Sequence, residues 1–310
     1  MWNRIVALGS LCLVFLMPMT SVSADEEANQ LQALLTKQAP TIVTVKAVVK
    51  MEAGGGGRDT EVRIEMQGAV VSPDGMVMIS NALFSLDKVL ASLTGQTPPN
   101  MKITLVSAKV VVEREEKEYE AFLAAKDINL DLAFLKIEDL GDRKLLAVDF
   151  TAAATPTLGQ KLVLVSRLDK GYDYAPFFAS IRISGEIVKP RKAWSLDGGN
   201  PDAGLPIFTT SGELVGALTN VMGNLKGENA QDSMGFSYLM RMVNGNGGLT
   251  KRFVIPASTV QNSIVQAQAK AIEVAAERAK NKTAKATAPT KAETKPAKPP
   301  VDKPGKGKKP

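Results

Sequence analysis

The sequence predicts an all-β fold of the sandwich or barrel type. Residues 41–257 hold many short runs rich in β-branched and aromatic side chains. Gly, Pro, Asp and Asn turns separate these runs at near-regular intervals, and no βαβ alternation is present. At 310 residues the chain is long enough for two cores.

In chain order, "EEANQLQALLTKQ" (26–38) predicts a short helix with Leu31, Leu34 and Leu35 on one face. After Pro40 the pattern changes to strand in "TIVTVKAVVKM", which ends at the flexible loop "EAGGGGRDTE". "VRIEMQGAVV", the turn "SPDG" and "MVMIS" predict a hairpin, because Pro73-Asp74-Gly75 carries turn chemistry. Residues 84–100 predict a short helix closed by Gly95 and Pro98-Pro99. Strands follow in "KITLVSAKVVVE", "KEYEAFLAA" and "LAFLKIE", and the charged run Glu113–Glu120 reads as a solvated hairpin end. "LGDRKLLAVDFTAAAT" connects two halves. The second half contains "KLVLVSRL", "FASIRISGEIV", "LPIFTT", "ELVGALTNVM" and "RFVIPA". Ser258 is placed to cap a final helix, in which Val260, Ile264, Ala267, Ala271 and Val274 make a narrow apolar stripe.

The expected organisation is a signal peptide at 1–24, a helix and first β-unit at 25–145, a second at 146–258, a helix at 259–280 and a disordered tail at 281–310. The signal reading rests on Arg4, the apolar run Ile5–Met17 and the small-residue exit Val22-Ser23-Ala24. It predicts cleavage after Ala24 and a secreted or periplasmic protein, with an uncleaved anchor as the alternative. The tail holds nine lysines against Glu293 and Asp302, for a charge of +7, while the whole chain carries +6. The basic character therefore belongs to the tail. Its six prolines oppose both helix and ladder.

Composition closes several chemistries. The one cysteine, Cys12, lies in the signal run behind Leu11, so neither lipid attachment nor a mature thiol is expected. There is no histidine, the usual general base at neutral pH and the commonest metal ligand. The acidic residues show no calcium-loop spacing, and "GGGG" lacks the Gly-Lys-Ser/Thr of a phosphate loop. No cofactor and no metal are expected.

Several segments, in order, resemble the trypsin-like serine proteases of the high-temperature-requirement type. They are "GAVVSPDGMVMISNALFS" (68–85), "YEAFLAAKDINLDLAFLKIE" (119–138), "LGQKLVLVSRL" (158–168), "SGEIVKP" (184–190), "GNPDAGLPIFTTSGELVGALT" (199–219) and "FVIPASTVQ" (253–261). The resemblance covers most of residues 40–265. It implies two antiparallel six-stranded β-barrels with a cleft between them. Carried over by position, Ala82 stands where the catalytic histidine belongs, Asp131 where the aspartate belongs and Ala203 where the nucleophilic serine belongs. Pro201 stands at an oxyanion-hole amide and has no N–H to give. An alanine methyl cannot attack a carbonyl, so the resemblance implies a pseudoprotease. The alternative is an active serine endopeptidase with a rearranged, non-histidine site. Against it, Ser80, Ser195, Ser211 and Ser237 lack an elbow or partner motif. Asp131 is then expected to serve structure by capping backbone N–H groups.

What survives is the cleft. In the resembled fold an extended substrate adds as a strand, here beside Leu218, Thr219 and Asn220, and such addition needs no triad. The expected function is an envelope protein that binds an extended peptide or partner protein without cutting it. The competing reading is that the loop 221–248 closes the groove. The lysine tail predicts salt-sensitive attraction to anionic envelope polymers. It lacks interleaved aromatics, so sequence-specific nucleic-acid recognition is not expected.

Overall fold

Alternation of β-branched residues along Ile42–Glu52 (β1) puts Val43, Val45, Ala47 and Val49 out of contact with solvent, and the strand pairs on both edges. Five more strands follow, Thr60–Ser72 (β2), Met76–Ser80 (β3), Lys102–Val112 (β4), Glu118–Asp127 (β5) and Leu132–Ile137 (β6), of which β3 and β6 are buried almost throughout. In this computed structural model the six strands close into a barrel of order β1-β2-β3-β6-β5-β4. The second half supplies Lys161–Arg167 (β7), Pro176–Ile187 (β8), Ala193–Asp197 (β9), Pro206–Thr209 (β10), Leu214–Met222 (β11) and Thr250–Pro256 (β12). They close into a second antiparallel barrel whose order, β7-β8-β9-β12-β11-β10, repeats the first. Closure removes the exposed edges that a sheet would otherwise carry.

The described residues are 22–52, 59–85, 102–113, 115, 117–189, 191–198, 202–222 and 250–287. The expected signal peptide up to residue 21, the loop at 54–57, most of the helix expected at 84–100, Pro201, residues 223–249 and the tail from 288 lie outside them. The chain divides into two compact units, Met1–Ala271 and Ile272–Pro310. Both barrels belong to the first.

The β2–β3 turn shows why its sequence is legible. Gly75 takes φ +87° and returns its N–H to the Ser72 carbonyl at 3.0 Å. Ser72 Oγ donates to the Asp74 carboxylate at 2.6 Å, and Lys136 pairs with that carboxylate at 2.7 Å. The charged β4–β5 end is organised by ion pairs: Arg143 grips Glu115 at 2.5 Å and donates to the Tyr119 hydroxyl at 2.7 Å.

Two devices hold the barrels in place. The connection between them donates from Leu145 to Pro73 and from Val148 to Val70 in the first barrel, and from Ala154 to Leu214 in the second. Arg167 at the end of β7 is 5% exposed and donates to the carbonyls of Ala39, Ile42 and Tyr174 at 2.6, 2.7 and 3.0 Å. Two of these carbonyls lie at the entry to β1, so one guanidinium spans both barrels.

Two helices lie outside the barrels, and the second continues past the end of the first unit at Ala271. Val22–Gln38 (α1) buries Leu31 and Leu34, with Asp25 in its first turn and Lys37 in its last, as the helix dipole favours. The last helix, Ala257–Thr287 (α2), begins directly after Pro256, one residue before the expected cap at Ser258. Val260, Ile264, Ala267 and Ala271 are buried, and Ser263 Oγ donates to the Asp127 carboxylate at 2.5 Å. The helix runs past residue 280 because its lysines are spaced by alanines, which are good helix formers. Among the described residues no helix is long and apolar enough to cross a membrane.

Candidate functional site

The site lies where the end of β3 meets the turn before β10. Strand register places the first part: Ser80 is opposite Leu132, which brings Asp131 beside the chain leaving β3. Asp131 takes φ +56° in the β5–β6 turn, and its carbonyl accepts the Asn81 N–H at 2.9 Å. Its carboxylate accepts the Ser80 hydroxyl at 3.0 Å. Ser80 Oγ in turn accepts the N–H of Ala82 at 3.2 Å. Asp131, Ser80 and Ala82 thus form one hydrogen-bonded string, and a single-turn 3-10 helix from Ala82 to Ser85 continues the chain.

The second barrel supplies Ala203. It precedes Gly204, which takes φ +86° and donates its N–H to the Leu218 carbonyl at 2.7 Å. A β-carbon on Gly204 would stand 2.2 Å from the Ser80 amide nitrogen and 2.5 Å from the Ile79 carbonyl carbon. No side chain fits between two backbones at that separation, so the glycine is what allows the barrels to touch here. The turn carrying Ala203 is pressed against Ile79–Ser80, two residues from Ala82. The positions of Ala82, Asp131 and Ala203, far apart in sequence, therefore converge. Pro201 is outside the described residues.

What converges has little reactive chemistry. Ala82 and Ala203 are half-buried methyl groups. The nearby hydroxyl is Ser80, which has no partner motif in the sequence and donates to Asp131 in the structure. Ser80 and Asp131 lack the imidazole that takes the proton from the attacking hydroxyl in the resembled proteases. The sequence offered no motif for the pair, because the contact depends on the Ser80–Leu132 register.

A second polar group borders Ala203. Asp202 accepts the hydroxyl of Ser166, a β7 side chain with 0% exposure, at 3.0 Å. Burial pushes the Arg252 guanidinium below its ordinary pKa, and the nearby charge of Asp202 pushes it back up. Sequence reasoning singled out neither Asp202 nor Arg252 as a site residue. Neither carries a sequence signal: Arg252 follows Lys251 at the polar start of β12, and Asp202 reads as turn chemistry.

The groove residues separate by the direction of their backbone groups. Leu218 bonds through its carbonyl to Gly204 and through its N–H to the Leu205 carbonyl at 2.9 Å. Along a strand these groups alternate between edges, so Thr219 turns toward β12 and Asn220 toward the same edge as Leu218. β10 ends its pairing at Ala217, leaving the β11 edge beyond Leu218 without a strand among the described residues. Leu218 is thus already bonded, and among the described residues the unpaired part of this edge begins at Asn220. Thr219 Oγ1 is buried and has no hydrogen-bond partner among the described residues. No group of three or more His, Cys, Asp and Glu among them is placed to hold a metal.

Two closed barrels of one strand order meet at Gly204 and Ser80. This is the double-barrel architecture that the resemblance implies. The chain is similar to the crystal structure of the MamO protease domain from Magnetospirillum magneticum in its apo form. Identity is 18%, over 73% of this chain and 97% of that one, with a TM-score of 0.42. No family model matches the chain, and no curated protein matches it.

Proposed function

We propose that this chain is a non-cleaving protein of the trypsin-like fold that receives an extended polypeptide strand along β11, beginning at Asn220. The observation that supports the reading is the approach of Gly204 to Ser80, together with alanines at 203 and 82, the positions to which the resemblance assigns a nucleophile and a base. A bound strand needs only backbone donors and acceptors in register, and the β11 edge at Asn220 offers them. The signal-like N-terminus and the lysine-rich tail support a setting in the cell envelope.

Two measurements test this. Purified protein is expected to leave fluorescent casein uncut and to resist a serine-directed fluorophosphonate probe. Inhibitor-sensitive turnover would overturn the non-cleaving reading, and its loss in Ser80→Ala would assign the chemistry to the Ser80–Asp131 pair. For binding, Asn220→Pro removes an outward N–H while leaving the β12 ladder intact, because that residue does not bond toward β12. Peptide binding is expected to fall in Asn220→Pro and persist in Asn220→Ala. Equal binding by both would place any peptide elsewhere.

A further inference from the structure

We propose that a second site, separate from the β11 edge, takes a short peptide segment carrying a lysine or arginine side chain. The site is a cavity of about 860 Å³ walled by the end of α1, the connection between the barrels and the β10–β11 hairpin. Its volume falls in the range usual for ligand sites, about 300–1,000 Å³. Ala82, Asp131, Ala203 and Asn220 are not among its walls.

Gln38 is the observation that calls for a ligand. It lines the cavity and is only 7% exposed. Its main-chain carbonyl takes the Thr41 hydroxyl at 2.8 Å, while its side-chain amide makes no hydrogen bond among the described residues. The amide atoms are not among those sealed from solvent, and the open space that the residue lines is this cavity. A side-chain amide both donates and accepts, and a peptide group answers it with its own C=O and N–H. Leaving such a group unmatched in a wall is costly, and a bound peptide removes that cost. The connection adds main-chain donors. Leu145 and Val148 donate to the first barrel, whereas Leu146 and Ala147 between them donate to no main-chain carbonyl among the described residues.

Charge selects the side chain. Asp149 and Glu213 line the cavity, and their carboxylates accept only from Thr151 and Ser211 in their own turns. Among the described residues neither carboxylate enters an ion pair, and neither does Lys37 in the same wall. Lys37 stands in the last turn of α1, where the carbonyl end of the helix offsets its charge. Two carboxylates are thus left for a visiting cation, and Leu146 and Leu214 offer apolar contact to its aliphatic stem.

The test uses the full chain and capped tripeptides, acetyl-Ala-Lys-Ala-amide and its Gln and Glu counterparts. Pentylammonium serves as a cation without a peptide group, and titration calorimetry at low salt reads affinity. The Lys peptide is expected to bind about tenfold or more tightly than the Gln peptide and than pentylammonium. The double variant Asp149→Asn with Glu213→Gln should erase the preference for Lys. Each single variant should lose part of it, which keeps the test open should the double variant not fold. Gln38→Met should weaken the Lys and Gln peptides alike and melt no lower than the parent, because an unpaired amide gives way to an apolar chain of similar shape. Asn220→Pro should leave these affinities unchanged. The proposal is overturned by equal binding of the Lys and Gln peptides, by pentylammonium binding as tightly as the Lys peptide, or by no binding at all. It is equally overturned if the Lys preference survives the carboxylate substitutions or if affinity survives Gln38→Met. A lower Tm in Gln38→Met would show that the amide has a partner within the protein, and loss of binding in Asn220→Pro would move the peptide to the β11 edge; either result removes this site.

Discussion

Gly204 and Ser80, one from each barrel, approach so closely that a β-carbon on the glycine would lie 2.2 Å from the serine amide nitrogen. The contact is between backbones, so no rotamer change relieves it. It makes the Ala203 turn and the Asp131–Ser80–Ala82 string a single structural feature.

Gly204→Ala is therefore expected to destabilise the protein by about 3 kcal/mol or more, from the clash and the left-handed φ together. Gly212→Ala is the control. Its φ of +87° matches, but the nearest atom to its β-carbon would be Leu34 Cδ1 at 3.7 Å. That substitution should cost only about 1–2 kcal/mol, the strain alone. Urea denaturation of both variants checks the difference, and equal losses would mean that the Gly204 contact is not tight.

Arg167 ties the entry of β1 to the second barrel by donating to the carbonyls of Ala39, Ile42 and Tyr174. Replacing it with methionine keeps much of the stem but leaves three carbonyls without that donor. The expected loss is about 2–4 kcal/mol, since bonds to a charged donor are worth more than neutral ones and buried acceptors are costly to orphan. Calorimetry should show a lower Tm. Loss of a single transition, with two appearing in its place, would identify Arg167 as what couples the barrels.

Much of the fold was legible because each strand carries its own signal. β-branched runs and turns such as Ser72–Gly75 are local, and eleven of the twelve strands fall on runs read as strand. The strand Ala193–Asp197 was not read as one: it is short, follows Lys189–Lys192 and shows no clear alternation. The site was legible only in part, because its parts meet through register and inter-barrel contact. Nothing in the sequence around Ser80 announces Asp131, fifty-one residues away. The competition for the Leu218 backbone likewise depends on where Gly204 arrives, and a sequence pattern does not encode that position.

The Arg143–Glu115 pair predicts a pH effect of definite sign. The hydrogen bond from Arg143 holds the Glu115 carboxyl below its ordinary value of 4.5, with burial opposing more weakly. A depressed folded-state pKa contributes stability above the unfolded value, and that contribution disappears as pH falls through the folded value. Glu115→Gln should accordingly cost stability at pH 7 and cost progressively less below about pH 4.5. Both groups are about one-third exposed, so the effect is small and weakened by salt. Denaturation midpoints of protein and variant, measured from pH 7 to pH 3, should converge; parallel curves would mean that the pair does not form in solution.

Restoring the missing groups tests the site from the opposite direction. Ala203→Ser alone supplies a hydroxyl without a base, and a serine hydroxyl is a weak nucleophile until a base takes its proton. It should remain unlabelled by a fluorophosphonate. Adding Ala82→His places an imidazole two residues from Ser80, in the region the Gly204 contact holds against Ala203. The double variant should label measurably faster than either single one. Peptide turnover should still lag, because proline at 201 has no N–H to offer a developing oxyanion, a loss of about 2.7–4 kcal/mol. Labelling of Ala203→Ser at the same rate as the double variant would show that position 82 is not where a base acts. Labelling of neither would show that the Ala203 turn does not face position 82 at reacting distance.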